Sequence, residues 1–340
     1  MTEQPQQSAL DFITADIRSR LDDPKIIYSL HDKVEKFPAL PCGIKSIDDA
    51  LGGGIPEGRV VELYGAEGSG KTTVMLHFIA AAQKRGEVVF FVDAENALDL
   101  PYAQRIGVDL KSMLFSQPDY GEQALDVMIH ICNSVKEYND AHPDTPMKAL
   151  IVLDSVAALI PKQEFTVFEE KGLDTSVAMG ARARMLSSKL PMVCNKASKS
   201  GVSVVFINQM RDLIGVTYGP TTTTPGGRAL KFYSSVRIKV TRIGLRKRGE
   251  QAVGIRSRLV PEKSKLFTIF DKKAEFYIGN DGIDVVASIA DAAVEGGAVQ
   301  KSGAWLKFGD AKYQGRDKFE AALRSDSSLL DQIQGALGGE

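Results

Sequence analysis

The segment from Gly65 to Thr72 constrains this chain more than any other part of its sequence. It reads Gly-Ala-Glu-Gly-Ser-Gly-Lys-Thr and matches the phosphate-binding pattern GxxxxGK followed by Ser or Thr. An apolar run over 59–64 predicts a buried strand before it, and residues 71–85 predict a helix after it. In that context, backbone amides of the loop and of the helix N-terminus point at the phosphates of a nucleotide. The segment therefore predicts a P-loop nucleotide site.

Apolar runs and helical patterns alternate along most of the chain. Strands are predicted at 59–64, 88–93, 149–154 and 202–208, and helices at 71–85, 122–137 and 178–198. This alternation predicts the α/β class, with a P-loop core built on a mainly parallel twisted sheet that helices flank. Further strands follow one another without intervening helices and predict an antiparallel extension of the sheet, at 236–243, 258–266 and 274–278.

The two ends of the chain predict smaller units. Near the N-terminus, apolar side chains recur at helical spacing on one face: Leu10, Ile13, Ile17 and Leu21. We therefore expect an N-terminal helix arm over 1–36, an ATPase core over 37–282 and a small α+β domain over 283–340. The last of these combines helical sequence at 285–295 and 325–335 with a glycine-rich hairpin region between them.

Composition excludes several other classes of protein. Of 340 residues, 44% are hydrophobic and 25% are charged, the usual balance for a globular chain rather than a disordered one. No apolar stretch approaches the ~18–20 residues that cross a bilayer, so we expect a cytoplasmic protein with no membrane partner. The three cysteines and four histidines are scattered, which favours neither a disulfide framework nor a zinc site.

Positive charge is concentrated in one part of the chain. Residues 182–258 hold 16 lysines and arginines against two acids, Asp212 and Glu250, a net charge of +14. Because the whole chain carries −1, the remainder carries −15. Such asymmetry is typical either of a surface that binds a polyanion or of an ordinary solvated basic face.

The chemistry of nucleotide hydrolysis suggests further candidates for the site. Lys71 compensates phosphate charge in a P-loop, and the Thr72 hydroxyl coordinates Mg²⁺. A buried strand ends at Asp154, whose carboxylate is suited to hold the same ion through water. Another strand leads into Glu95, at the edge of the sheet where ligands of open α/β folds bind. We expect Glu95 to activate water, and the alternative is that it only stabilises a helix N-terminus.

The P-loop alone leaves the class of reaction open. A GTPase carries an Asn-Lys-x-Asp sequence that reads the base, and residues 195–198, Asn-Lys-Ala-Ser, lack the aspartate. Nothing in the sequence marks the acceptor site and lid of a small-molecule kinase. A nucleic-acid-dependent ATPase requires a basic surface, which residues 182–258 supply.

Several blocks of sequence, in order along the chain, resemble the bacterial RecA strand-exchange recombinases. These blocks are 58–65, the phosphate-binding segment, 91–99, 116–125, 154–159, 206–209 and 229–233. They cover roughly Ile44 to Gly282, and a weaker match at 303–305 extends into the C-terminal unit. The resemblance implies a helical homo-oligomer on single-stranded DNA that pairs with homologous double-stranded DNA, with ATP and Mg²⁺ bound between neighbouring subunits.

The resemblance also implies roles for individual residues of the nucleotide site. Glu95 activates water, Gln209 senses the γ-phosphate, and Asp154 is the second acidic element. Tyr102 stacks on adenine, and Asp99 belongs to the same nucleotide-binding set. The remaining contacts come from the phosphate-binding segment and the residue after it: Gly65, Ala66, Glu67, Gly68, Ser69, Gly70, Lys71, Thr72 and Thr73.

Two lysines resemble a catalytic pair that acts across a subunit interface. Lys263 and Lys265 are two residues apart and so share one face of a strand. In the family this pair reaches the γ-phosphate of the neighbouring subunit, in the manner of an arginine finger. Without the resemblance, such a pair is typical of a solvated edge that discourages aggregation.

Two loops are expected to face DNA, at about 164–179 and 210–228. Three residues match positions that contact DNA in the family: Met179, Arg184 and Arg211. The second loop adds residues suited to phosphates or to wedging between bases: Gly226, Gly227, Arg228, Ile214 and Tyr218. The first loop is longer than the family pattern and carries extra acids, which indicates a divergent member.

We therefore expect an ATP-dependent recombinase that forms a filament on single-stranded DNA and catalyses homologous pairing and strand exchange in recombination and repair. One alternative is a ring-forming helicase or motor with the same fold. The other is a DNA filament protein that binds ATP without hydrolysing it.

Overall fold

The computed structural model describes residues 4–21, 37–171, 180–212, 222–248 and 250–337. The chain divides into two compact units, Met1–Pro38 and Ala39–Glu340. In the first unit, helix α1 (Gln4–Ser19) carries Phe12, Ile13 and Ile17 on its surface. The amphipathic helix predicted near the N-terminus is therefore present, although it ends before Leu21.

One nine-stranded sheet organises the second unit. In spatial order its strands are β13 (Gly282–Ile283), β12 (Ala274–Gly279), β11 (Gln251–Ser264), β10 (Val236–Arg248), β3 (Val60–Gly65), β7 (Ser203–Gln209), β6 (Ala149–Asp154), β4 (Val88–Asp93) and β5 (Met113–Ser116). Neighbouring strands are parallel in the part of the sheet formed by β10, β3, β7, β6, β4 and β5. They are antiparallel in the part formed by β10, β11, β12 and β13. The predicted fold class is confirmed.

Helices cover both faces of this sheet. Helix α3 (Lys71–Lys84) shares one apolar core with the sheet, and helices α5 (Gly121–Ala141) and α7 (Ala181–Ser200) share the other. Along β6, Val152 belongs to the first core, whereas its neighbours Ile151 and Leu153 belong to the second. Because successive side chains of a strand point to opposite faces, a strand covered on both sides must be apolar throughout.

Shorter elements complete the second unit. They are β1 (Ala39–Leu40), α2 (Lys45–Ala50), β2 (Ile55–Pro56), α4 (Leu100–Ile106), α6 (Lys162–Lys171), β8 (Arg211–Asp212), β9 (Thr222–Thr223) and α8 (Ala229–Tyr233). Strand β5 is absent from the sequence prediction, because it has four residues and two of them, Leu114 and Phe115, are exposed. Helix α6 occupies the first part of the segment expected to be the first DNA-facing loop.

A third apolar cluster lies toward the C-terminus. It joins α9 (Val285–Glu295), α10 (Arg316–Ser325) and α11 (Ser327–Leu337) to a small antiparallel sheet of β14 (Gln300–Ser302), β15 (Trp305–Phe308) and β16 (Ala311–Gln314). Phe319 and Ile333 are fully buried in this cluster. Across the ranges given above, no helix is both long and apolar enough to span a membrane.

Candidate functional site

The phosphate-binding segment joins the end of β3 to the start of α3. Gly70 is the residue before α3 and has φ 95°, and a Cβ there would lie 2.2 Å from the Ile278 side chain. At Gly65 a Cβ would lie 2.1 Å from the Val240 carbonyl oxygen. The Ser257 hydroxyl, from β11, donates to the Ser69 carbonyl at 2.9 Å. The antiparallel extension thus packs directly against the loop. The close backbone approach requires glycine at Gly65, and the positive φ favours glycine at Gly70.

A polar cleft opens at the carboxyl ends of the parallel strands. The residues that line it come from the loop and from the ends of β4, β6 and β7: Glu67, Gly68, Lys71, Thr72, Phe91, Asp93, Glu95, Ala97, Leu98, Asp154 and Gln209. Carboxyl ends of parallel strands are where ligands of open α/β sheets bind. The structure therefore brings Lys71, Thr72, Glu95, Asp154 and Gln209 into one site.

Lys71 and Thr72 begin α3 and point into the cleft from its floor. Lys71 Nζ donates to the Ala66 carbonyl at 2.9 Å, and Thr72 Oγ1 donates to Asp154 Oδ2 at 2.9 Å. Burial lowers the pKa of Lys71, although the carboxylates of Asp154, Glu95 and the loop partly offset that effect. The Lys71 side chain therefore lines the space that phosphates would occupy.

Asp154 ends β6 and faces the cleft beside Thr72. Burial, helped by the charge of Glu95, raises the pKa of Asp154 to about 6, while the Thr72 hydrogen bond and the Lys71 cation oppose the shift. Positive charge in this structure therefore compensates the carboxylate only in part. Together with the Thr72 hydroxyl it offers the oxygen donors that a hard divalent cation takes.

This donor set fits Mg²⁺ bound together with a nucleotide rather than a cage made of protein alone. Within the part of the chain that the structure describes, no group of three His, Cys, Asp or Glu side chains is arranged to hold a metal. Mg²⁺ usually keeps several waters and takes one or two carboxylates plus substrate phosphates, which is what this pair supplies.

Glu95 and Gln209 meet across the cleft. Glu95 follows the end of β4, Gln209 ends β7, and β6 lies between these two strands. Gln209 Nε2 lies 3.1 Å from Glu95 Oε1 and 3.2 Å from Oε2. An amide that can donate to phosphate and a carboxylate that can accept a proton are therefore adjacent.

Asp99 and Tyr102 lie at the start of α4, beside the P-loop helix. Asp99 Oδ1 accepts from the Tyr102 backbone N–H at 2.9 Å and caps α4, and the Tyr102 hydroxyl lies 3.1 Å from Thr73 Oγ1. The Arg105 guanidinium lies 5.5 Å from the centre of the Tyr102 ring. Neither Asp99 nor Tyr102 lines the phosphate cleft itself.

Lys263 and Lys265 lie away from the cleft of their own subunit. Lys263 Nζ donates to the carbonyls of Lys231 and Phe232 at 2.7 and 3.0 Å, and Lys265 Nζ donates to the Phe232 carbonyl at 3.1 Å. Burial lowers the pKa of Lys263, and the cations of Lys265 and Arg237 lower it further. The pair is thus a concentrated positive charge at the end of α8, beside an exposed Phe232.

The described parts of the expected DNA-facing loops carry charges of both signs: Glu164, Glu169, Glu170 and Lys171 in the first loop, and Arg211, Asp212 and Arg228 in the second. Arg184 and Arg228 are exposed, Arg211 pairs with Thr223 in the short ladder of β8 and β9, Gly226 is buried and Gly227 is exposed. Burial lowers the pKa of Arg182, and the nearby Arg211 cation lowers it further. Met179, Ile214 and Tyr218 lie outside the described residues.

Three buried polar residues near the site are absent from the sequence candidates. Asp93 is 3% exposed and lines the cleft, and Glu62 and Asn208 are fully buried in adjacent strands. The signal for Glu62 was present in the sequence, because it is the one charged residue in the apolar run Val-Val-Glu-Leu-Tyr over 60–64. A charged side chain in a central strand must be paired, and the pairing partners are distant in sequence.

Comparison with known proteins agrees with this architecture. The model of the RecA N-terminal domain matches residues 9–284, and that of the RecA C-terminal domain matches residues 287–338. The protein RecA of Fusobacterium nucleatum is 44% identical over 302 residues, which are 87% of this chain and 75% of that protein. RecA of Thermus thermophilus is 43% identical over 304 residues, covering 88% and 84% of the two chains. RecA of Rubrobacter xylanophilus is 40% identical over 330 residues, covering 96% and 91%.

These matches confirm the resemblance stated from the sequence and do not favour the ring-forming motor or the non-hydrolysing filament protein. RecA proteins use ATP with a divalent metal, bind DNA and assemble into homo-oligomeric filaments. The chain belongs to the RecA family of recombinases, DNA-dependent ATPases with strand-exchange activity that act in recombination and repair.

Proposed function

We propose that this chain assembles on single-stranded DNA as a helical homo-oligomer, binds ATP with Mg²⁺ in the cleft, and pairs the coated strand with homologous double-stranded DNA. One observation carries the proposal: the P-loop and the ends of β4, β6 and β7 bring a lysine, an amide and four carboxylates, Glu95 and Asp154 among them, around one cleft. Both substrates, ATP and DNA, are cytoplasmic, so we expect the reaction there.

The P-loop residues would bind the triphosphate. Backbone N–H groups over 66–73 would donate to the phosphate oxygens, and Lys71 would exchange its hydrogen bond with the Ala66 carbonyl for one with phosphate. Thr72 and Asp154 would hold Mg²⁺, which supplies positive charge that balances the charge of the phosphates. Asp99 and Tyr102 would bind the adenine side of the nucleotide, supported by the contact between Tyr102 and Thr73.

Glu95 would activate water, and Gln209 would control when it does so. In the structure the Gln209 amide donates hydrogen bonds to the Glu95 carboxylate oxygens. A γ-phosphate competes for the same N–H donors, because hydrogen bonds to a charged acceptor are roughly twice as strong as neutral ones. Once Gln209 binds phosphate, the Glu95 carboxylate is free to accept a proton from the attacking water.

Lys263 and Lys265 would complete the site of the adjacent subunit. Backbone carbonyls orient both ammonium groups, and neither group lines the cleft of its own subunit. The mutual repulsion of these cations favours an incoming anion such as a γ-phosphate. Cations at that point stabilise charge that develops in the transition state.

The two DNA-facing loops, together with the basic segment 182–258, would bind DNA. Arg184, Arg211 and Arg228 are suited to phosphates, and Ile214 and Tyr218 to stacking between bases, with Met179 and the amides of Gly226 and Gly227 as further contacts. The short ladder of β8 and β9 brings together the two ends of the second loop, directly after Gln209. Nucleotide state at Gln209 would therefore bias the DNA-binding loop.

Electron microscopy with single-stranded DNA, Mg²⁺ and a slowly hydrolysed ATP analogue tests this proposal. Helical filaments are the expected result, and rings or dispersed particles would contradict it. Phosphate release from ATP should be stimulated by single-stranded DNA and abolished by EDTA. A strand-exchange assay with homologous and non-homologous duplexes then separates pairing from mere binding, because only the homologous duplex should yield product.

A further inference from the structure

The fully buried Glu62 carboxylate links three strands of the central sheet. Glu62 lies on β3, with β10 on one side and β7 on the other. Its Oε2 accepts from Arg237 Nε at 2.6 Å, and its Oε1 accepts from Asn208 Nδ2 at 3.0 Å. The Arg237 guanidinium also lies 4.4 Å from the centre of the Tyr64 ring. Both oxygens of the carboxylate are therefore used, one toward each neighbouring strand.

Asn208 uses every polar atom of its side chain in this network. Besides Glu62, its Nδ2 donates to the Pro225 carbonyl at 3.1 Å, and its Oδ1 accepts from the Gln209 backbone N–H at 3.0 Å. The Asn208 side chain is fully buried. A buried amide with two donors and one acceptor in use has one orientation only.

The network reaches three sites that act together in the proposed function: the nucleotide cleft, the second DNA-facing loop and the lysine pair. Gln209 contacts Glu95 in the nucleotide cleft. Pro225 follows β9 in the second DNA-facing loop, beside Gly226 and Gly227. Arg237 is the register partner of Lys263 on β11 and lowers the pKa of that lysine.

We propose that Glu62 and Asn208 are positioning residues that couple the nucleotide cleft to the second DNA-facing loop and to the lysine pair. This inference rests on the proposed function for the roles of Gln209, the loop and the lysines. When Gln209 moves toward a γ-phosphate, its backbone N–H moves relative to Asn208. Since Glu62 holds the Asn208 amide from the other side, the displacement is passed to the Pro225 carbonyl rather than absorbed by the side chain.

Glu62→Gln tests the coupling with almost no change of volume. The new amide accepts from only one neighbour and presents donors to the other, so Arg237 and Asn208 cannot both be satisfied. The quantity to measure is the ratio of two affinities for single-stranded DNA, one with the slowly hydrolysed ATP analogue and one with ADP. Binding at one coupled site commonly changes the affinity of the other by ~5–150-fold. We expect the ratio of the variant to be at least ~5-fold smaller than that of the parent.

A ratio distinguishes coupling from simple structural damage, since a partly misfolded sample lowers both affinities together. Glu320→Gln is the matched control, because Glu320 is a buried carboxylate that also pairs with arginines, Arg246 and Arg316, but at the C-terminal cluster. Its ratio should equal that of the parent. A folded Glu62→Gln protein with the parent ratio would overturn the inference.

Hydrogen exchange of the unmodified protein keeps the inference testable if Glu62→Gln does not fold. Adding the ATP analogue without DNA should slow amide exchange at 207–211 and at 222–228 together. Slowing at 207–211 alone would overturn the coupling and leave the proposed function intact. No slowing at either segment would overturn the role of Gln209 itself, and the inference with it.

Discussion

Gln209 donates from Nε2 to both carboxylate oxygens of Glu95, at 3.1 and 3.2 Å, although 113 residues separate them in the chain. The contact spans the end of β6, so the two side chains lie on either side of Asp154, which accepts from Thr72. In this arrangement the Gln209 amide is hydrogen-bonded to the Glu95 carboxylate. Under the proposed function, hydrolysis should follow only after a γ-phosphate has drawn the amide away.

Glu95→Gln should retain ATP binding and filament assembly while slowing hydrolysis at least ~10²-fold, because a positioned general base contributes ~10²–10⁴-fold. Single-turnover phosphate release, measured beside binding of a fluorescent nucleotide, checks both parts. Glu57→Gln is the control, since Glu57 pairs with Lys148 at 2.8 Å just before β6, at the amino end of the sheet. Turnover near the parent rate in Glu95→Gln would place the base elsewhere.

Arg228→Ala should weaken binding to single-stranded DNA uniformly across sequences and lower the salt slope by about one unit, as expected for one lost phosphate contact. Tyr218→Ala should weaken binding with little change of slope, because stacking releases no counterions. Anisotropy titrations at several salt concentrations separate the two effects. Lys45→Ala, which removes a cation paired with Asp49 on α2, serves as the control. Unchanged binding in both loop variants would exclude the second loop as the contact surface.

A mixture of two inactive variants should regain activity if the site is shared between subunits. Lys71→Ala loses its own nucleotide site but keeps its lysine pair, and the double variant Lys263→Ala/Lys265→Ala has the reverse defect. Each head-to-tail interface combines the P-loop of one subunit with the lysine pair of the next. When equal amounts of the two variants copolymerise at random, both parts are intact at about one interface in four. DNA-dependent phosphate release should therefore partly return in the mixture.

Co-assembly in that experiment is established by a pull-down between differently tagged variants. If mixed filaments form and phosphate release stays at the level of the separate proteins, the two lysines do not act on the neighbouring nucleotide.

His77 should make the folded protein less stable in mild acid. Its Nε2 accepts from the Ile283 backbone N–H at 2.9 Å, and burial, with a smaller contribution from Lys84, lowers the pKa of His77 to about 4. The unfolded chain, with a pKa near 6.5, then binds the proton more tightly, so stability is lost as pH falls from about 6.5 toward 4. Between pH 7.5 and pH 5 this residue should cost about 2 kcal/mol of unfolding free energy.

Urea unfolding at the two pH values measures that loss. His77→Gln keeps an acceptor for the Ile283 N–H but has no titrating group at this position. Its loss of unfolding free energy between the two pH values should therefore be smaller than that of the parent by about 2 kcal/mol. Equal losses in the two proteins would show that His77 is protonated without penalty in the folded state.

Local sequence determined the elements and the nucleotide site. The bounds of β4 and β6 agree residue for residue with their apolar runs, and the phosphate-binding segment lies between the strand and helix predicted around it. Asp154 and Glu95 were identifiable because both stand at the carboxyl ends of apolar strands, where a parallel sheet collects ligands. By contrast, β5 and α6 carry weak signals, because each is short and much of it is exposed.

Only the tertiary structure decided which side chains meet across the sheet. Strand order places β6 between β4 and β7, so Glu95 and Gln209 enclose Asp154, and it places β3 between β10 and β7, so Glu62 joins Arg237 to Asn208. The residues of neither set are adjacent in the chain, and the hydrophobic periodicity of the sequence gives no information about the order of the strands in the sheet. The physical reason is that hydrophobic patterning specifies which residues are buried, whereas pairing of buried polar groups depends on distances set by the packed sheet.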